Sequence, residues 1–152
     1  MRRAWLWGED PVSGGSYEHR KSWVVARLAE LAQVYTIDVC AYAVMSNHYH
    51  VVVRLDVDKA RALSDGEVIS RYRRLFKLPL LIERFQEGLT GEAEIIAVQK
   101  ILAQWRERLC DLSWYMRSLN EHLARLANAE DGCKGRFWPF LRIPAPTAFS
   151  HP

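Results

Sequence analysis

The chain reads as an α+β domain, on three observations. Apolar residues recur at helical spacing up to about Gln33, the texture then switches to β-branched and aromatic residues through Leu55, and helical spacing returns from Asp65 to about Asp131. At 152 residues the chain is long enough to bury one core, and its length fits a single domain.

The elements follow in order. Ser13-Gly14-Gly15-Ser16 is a loop that ends at a candidate N-cap, Ser16, and Trp23, Val24, Leu28, Leu31 and Ala32 mark the apolar stripe of the helix behind it. Val34 to Val44 and His48 to Leu55 predict two antiparallel strands joined by a tight turn at Ser46-Asn47. Tyr49, Val51 and Val53 are apolar on one face of the second strand and Val52 on the other, so that strand is expected to be central and covered on both sides.

Four helices are predicted beyond Asp65. Val68, Ile69, Tyr72, Leu75 and Phe76 mark the first, and Pro79 opens a second that runs to Phe85. Thr90 caps a third, with Glu92 and Glu94 in its first turn, where acidic groups meet the positive end of the helix dipole. After Asp111 or Ser113, Met116, Leu119, Leu123, Leu126 and Ala127 mark the last, which ends before Asp131-Gly132. Beyond Trp138 no period survives and prolines concentrate, so 139–152 is expected to be an irregular tail.

Composition bounds the setting. No apolar run is long enough to span a bilayer, and the first ten residues lack the hydrophobic stretch of a signal peptide. Cys40, Cys110 and Cys133 are odd in number and widely spaced, which fits free thiols in a reducing cytoplasm rather than a disulfide framework. A net charge of +3 is only mildly basic, so a nucleic-acid reading depends on where the cations cluster.

The chemistry concentrates at His48-Tyr49-His50. Side chains at i and i+2 of a strand leave on one face, roughly 6.5 to 7 Å apart along it, a spacing that one divalent cation can bridge. The bland alternative is a pair of hydrogen-bonded core histidines, but two imidazoles on one apolar strand cost desolvation twice and call for a shared reason. A Mg²⁺ or Mn²⁺ ion there would act as a Lewis acid on a phosphate oxygen. Two protein ligands leave the shell incomplete, so a third residue or substrate oxygens must close it. Asn47 is better suited to the turn, and Cys40 or Asp38 are the further ligands that an unrelated hydrolase would use.

Basic residues gather in two places, Arg71, Arg73, Arg74 and Lys77 around Tyr72 and Phe76, and Lys134 and Arg136 beside Phe137 and Trp138. Mixtures of this kind suit phosphate neutralisation with base stacking, while the plainer reading is a solvated helix face and a turn. Arg106 and Arg108 flank Glu107 and read as ordinary surface charge.

The run from Tyr42 through Asn47 and His48 to Val53 resembles the HUH-type single-tyrosine transposases, most closely the branch associated with repetitive extragenic palindromes. The likeness extends through Trp114 to Glu121 and Gly135 to Trp138, covers most of residues 1–138, and makes about 65–112 a helical insertion found in one subgroup. It implies a ferredoxin-like antiparallel sheet with helices on it and usually a homodimer. It also implies a divalent metal, Mg²⁺ or Mn²⁺, on His48 and His50, and a helix-borne tyrosine that attacks single-stranded or hairpin DNA to leave a 5′ phosphotyrosine.

One departure bears on activity. The family's nucleophilic tyrosine stands on a helix after the Trp-containing segment, and this chain has no tyrosine after Tyr115. The expected nucleophile has no counterpart, the Pro-rich ending reads as foreign sequence after a frameshift or truncation, and the abrupt start at Arg2-Arg3-Ala4-Trp5 suggests that part of the family's first strand is absent as well. Tyr42, Tyr72 and Tyr115 read as ordinary core or surface aromatics. Three functions compete: a DNA nicking and joining enzyme, a DNA-binding remnant without catalysis, and an unrelated hydrolase built on the paired histidines.

Overall fold

A computed structural model of the chain describes residues 8–9, 14–45 and 48–132. The order is a short 3-10 turn at Glu18–Arg20, α1 (Lys21–Val34), β1 (Ile37–Val44), β2 (Tyr49–Leu55), α2 (Val57–Ala62), α3 (Asp65–Arg73), α4 (Leu80–Gln86), α5 (Glu92–Arg108) and α6 (Leu112–Glu130). The class is α+β, as expected. Where the resemblance implies a ferredoxin-like sheet, the described residues contain one hairpin, β1 antiparallel to β2. The Pro-rich tail and the basic residues Lys134 and Arg136 lie outside the described residues.

Local chemistry explains most boundaries. Ser64 and Glu67 form a reciprocal capping box at α3, and the Asp111 side chain accepts from Trp114 N–H at the start of α6. Gly88 has φ +72, a left-handed conformation that a side chain would strain, and it turns the chain between α4 and α5.

Several starts differ from expectation. Ser16 does not cap α1 but pairs with Glu9 in an isolated bridge, and the helix opens later through the 3-10 turn. The capping position of α5 is Gly91 rather than Thr90, with the Glu94 carboxylate accepting from Gly91 N–H. Val34 and Tyr35 leave the predicted strand because Val34 is the last residue of α1 and Tyr35 N–H still donates to Leu31 O. Helix α2 was not anticipated; the Asp56 side chain caps it by accepting from Lys59 N–H.

The core is one contiguous cluster. Val24, Leu28, Leu31 and Val34 of α1 pack with Leu119, Leu123 and Ala127 of α6, while Val68, Ile69 and Tyr72 of α3 join Val98, Leu102 and Trp105 of α5. The region 65–112 therefore shares the core of the rest and does not form a separate one. Tyr72 and Trp105 stack with ring centres 3.8 Å apart.

Polar side chains cross-link the layers. Buried Arg27 donates from Nε and Nη2 to Ser118 O, and Tyr35 Oη lies 2.7 Å from Ser118 Oγ. Arg20, fully buried, pairs with Glu130 and Asp131 at the end of α6 and lies over the Tyr17 ring.

Among the described residues the sheet is covered on one side only, which corrects the expectation of a strand buried on both. Val39, Val44, Tyr49, Val51 and Val53 pack against the core, and Tyr49 Oη donates to Asn120 Oδ1 of α6 at 2.5 Å. The opposite face, with Ala41, Ala43, His50, Val52 and Arg54, is exposed, Val52 at 58%. Helices α1 and α6 contact the hairpin on its core side, and the described residues of its outer face are exposed.

Candidate metal centre on an open hairpin

The hairpin fixes which side chains share the outer face. Ala43 faces His50, Tyr42 faces Val51 and Val44 faces Tyr49, so His50 stands outward while Tyr49 turns toward α6. Met45 N–H donates to His48 O at 2.9 Å, which carries the ladder one pair further and puts His48 on the same side as His50. Both histidines are exposed rather than buried, a second consequence of the uncovered face.

The two imidazoles stand together. Their ring centres are 5.0 Å apart with the planes at 87°. Two imidazoles bound to one ion at about 2.1 Å, with an angle of roughly 90 to 109° between them, have ring centres about 4.5 to 5.2 Å apart. The observed separation falls inside that window, a spacing that a cis chelate shares with the edge-to-face contact the two rings make. The exposure of both rings among the described residues leaves room for the remaining ligands of a metal, whether water or phosphate oxygens.

The further ligands considered from sequence do not join it. Asp38 pairs with Arg54 at 2.6 Å, four residues along β2 from His50, or about 13 Å at strand rise. That contact holds the Asp38 carboxyl below its ordinary range, chiefly through the Arg54 hydrogen bond. Cys40 occupies the bulge between Val39 and Ala41, closer to the Arg54 end. Among the described residues no group of three or more His, Cys, Asp or Glu side chains is placed to hold a metal.

The basic cluster divides. Arg71 Nη1 donates to Gln33 O and Val34 O, where it satisfies the carbonyl end of α1. Arg73 donates to Gln86 Oε1 at 2.6 Å and remains exposed, as do Arg74 and Lys77. Tyr72 is 6% exposed and stacked on Trp105, so it offers no face to a base, and Phe76 packs on Tyr72. Arg106 and Arg108, read from sequence as surface charge, are tertiary links. Arg106 bonds Leu63 O and Asp65, and Arg108 donates to Tyr72 Oη while lying over Trp114.

All six tyrosines fall within the described residues. Tyr35, Tyr72 and Tyr115 are core residues, Tyr49 is bonded to Asn120, and Tyr17 lies under Arg20. Tyr42 is half-exposed, but its register with Val51 puts it on the face opposite His50.

No protein-family model, curated protein or solved structure matches this chain. Among the described residues no helix is long and apolar enough to cross a membrane.

Proposed function

We propose that this chain is a transposase-like DNA-binding domain in which His48 and His50 hold a divalent metal, Mg²⁺ or Mn²⁺, against a phosphate of single-stranded or hairpin DNA. The observation that carries the reading is the outward pair of imidazoles with ring centres 5.0 Å apart on an uncovered strand face. When bound, the metal would polarise a phosphate oxygen. The chain's own contribution is to fix both rings on one hairpin, while the exposed Arg73, Arg74 and Lys77 can neutralise phosphates elsewhere along the strand. An open face suits single-stranded DNA, whose phosphates can approach a flat surface without a groove to enter. The resemblance further supports a homodimer, and the odd, widely spaced cysteines support a reducing, cytoplasmic setting.

Within this reading the chain binds DNA without a nucleophile of its own. The observation favouring that form is the placement of the tyrosines: three in the core, one bonded to Asn120, one under Arg20, and Tyr42 on the opposite face from His50. A covalent phosphotyrosine would need a hydroxyl from another chain.

Fluorescence anisotropy with a labelled hairpin oligonucleotide tests the proposal. Affinity is expected to fall steeply with salt, and Arg73→Gln, Arg74→Gln and Lys77→Gln are each expected to reduce the salt slope by about one. Mn²⁺ is expected to tighten binding in the parent protein and to have no effect after His48→Asn. Binding that ignores both salt and Mn²⁺ would reject the reading, and a denaturation-resistant DNA adduct formed by this chain alone would reject its non-catalytic form.

A further inference from the structure

Trp114, near the start of α6, gathers two cations. The guanidinium carbon of Arg108, from the end of α5, lies 4.3 Å from the centre of the Trp114 ring, and that of Arg117, three residues along α6, lies at 5.6 Å. The ring itself is half-buried and meets Phe76 edge-on at 6.0 Å between centres. Arg108 Nη1 also donates to Tyr72 Oη at 3.0 Å, and Tyr72 is stacked on Trp105. Both arginines therefore rest against a fixed aromatic surface, so each loses less rotamer freedom when it takes an outside oxygen.

Donors remain for such a ligand. Among the described residues the hydrogen bonds of these two side chains use Nη1 of Arg108 and Nε of Arg117, one nitrogen of each fork. The nearby carboxylates do not block them. Asp111 accepts from Trp114 N–H, and the Arg117–Glu121 pair is exposed at both partners, 63% and 49%, where an ion pair contributes little and a phosphate can compete.

We propose that Arg108 and Arg117 form a phosphate clamp on the Trp114 ring that takes the backbone of single-stranded DNA. Guanidinium forks match phosphate oxygens bidentately, which a lysine cannot do. Lys77, exposed and next to Phe76 in the chain, extends the positive surface. Asn120 follows Arg117 by three residues, roughly 5 to 6 Å away between Cβ atoms on the helix surface, and accepts the Tyr49 hydrogen bond. Tyr49 stands between His48 and His50 in the chain, so the clamp lies beside the same end of the hairpin. The inference rests on DNA as the ligand of the proposed function, but not on the metal.

The test is binding of the full chain to a hairpin oligonucleotide with a single-stranded tail, read by anisotropy and by tryptophan emission. At about 0.1 M salt, Arg117→Gln and Arg108→Gln are each expected to weaken binding about tenfold and to reduce the salt slope by about one. Arg117→Lys keeps the charge but not the fork, so a weakening of about threefold at unchanged slope is expected. The oligonucleotide is expected to change the emission of the parent protein and to change that of Trp114→Phe less. Circular dichroism checks that the Arg108 variant, which also loses the Tyr72 bond, keeps its helices; if it does not, the two substitutions at exposed Arg117 decide the matter.

Parent-like affinity and slope in Arg117→Gln, or equal emission changes with and without Trp114, would overturn the clamp. Equal affinity for polyglutamate would overturn it too, by making the surface one for any polyanion. Mn²⁺-dependent binding that ignores both arginines would reject this inference and leave the proposed function standing. Binding that depends on Arg117 but ignores Mn²⁺ and His48→Asn would keep the clamp and reject the metal centre, and no binding of the oligonucleotide at any salt would reject both.

Discussion

Leu119→Ala is expected to destabilise the protein by about 3 to 4 kcal/mol, measured as a shift of the urea midpoint at unchanged slope. Leu119 is fully buried on α6, in the cluster that joins this helix to Val24, Leu28 and Leu31 of α1. Truncation removes apolar contacts and leaves a cavity that two long helices, also pinned together by Arg27 and Arg20, cannot readily close. Leu80 supplies the control. It is 69% exposed at the start of α4, and Leu80→Ala is expected to change stability by no more than about 0.5 kcal/mol. Equal effects at the two sites would show that α6 does not pack as described.

The second large effect is alkaline. Burial pushes the phenols of Tyr49 and Tyr115 up to about 12 from the ordinary 10.0, and the neighbouring Tyr35 adds to the shift at Tyr115. Tyr115 Oη has no hydrogen-bond partner among the described residues, and the Tyr35 phenol is raised as well, again chiefly by burial. Because the folded values lie above the unfolded ones, the unfolded chain releases these protons first. Their stabilising contribution is intact below pH 10 and falls as pH rises between 10 and 12, on the order of 2 kcal/mol for each of the two. Urea titrations at pH 9 and near pH 12 should show the loss, and Tyr49→Phe with Tyr115→Phe should flatten it. A profile as steep in the double variant would place the alkaline sensitivity elsewhere.

The elements governed by local chemistry were legible in the sequence. Asp111 as a cap, Gly88 as a break and Pro79 before α4 each carry a short-range reason, and the helices fall close to where spacing put them, while the predicted turn at 46–47 lies outside the described residues. The outward openness of the sheet was not legible. Alternation reveals which side chains share a face, but not whether another layer lies above it, and Val52 looked like a core residue while standing 58% exposed.

Long cations hid their partners for a similar reason. Arg71, Arg106 and Arg108 reach groups 36 to 43 residues away along the chain, and no local pattern announces a guanidinium that ends on a distant carbonyl or phenol. Arg20 and Arg27 were missed in the same way. At the candidate site, the i, i+2 spacing marked both histidines.

Paramagnetic broadening of the imidazole resonances by Mn²⁺, recorded with a hairpin oligonucleotide present, tests the metal clamp most directly. The side chains of His48 and His50 are expected to broaden first and together, ahead of His19 and His122, and to sharpen again when EDTA is added in excess. Broadening that begins at carboxylates of the helices and leaves both hairpin histidines sharp would contradict it.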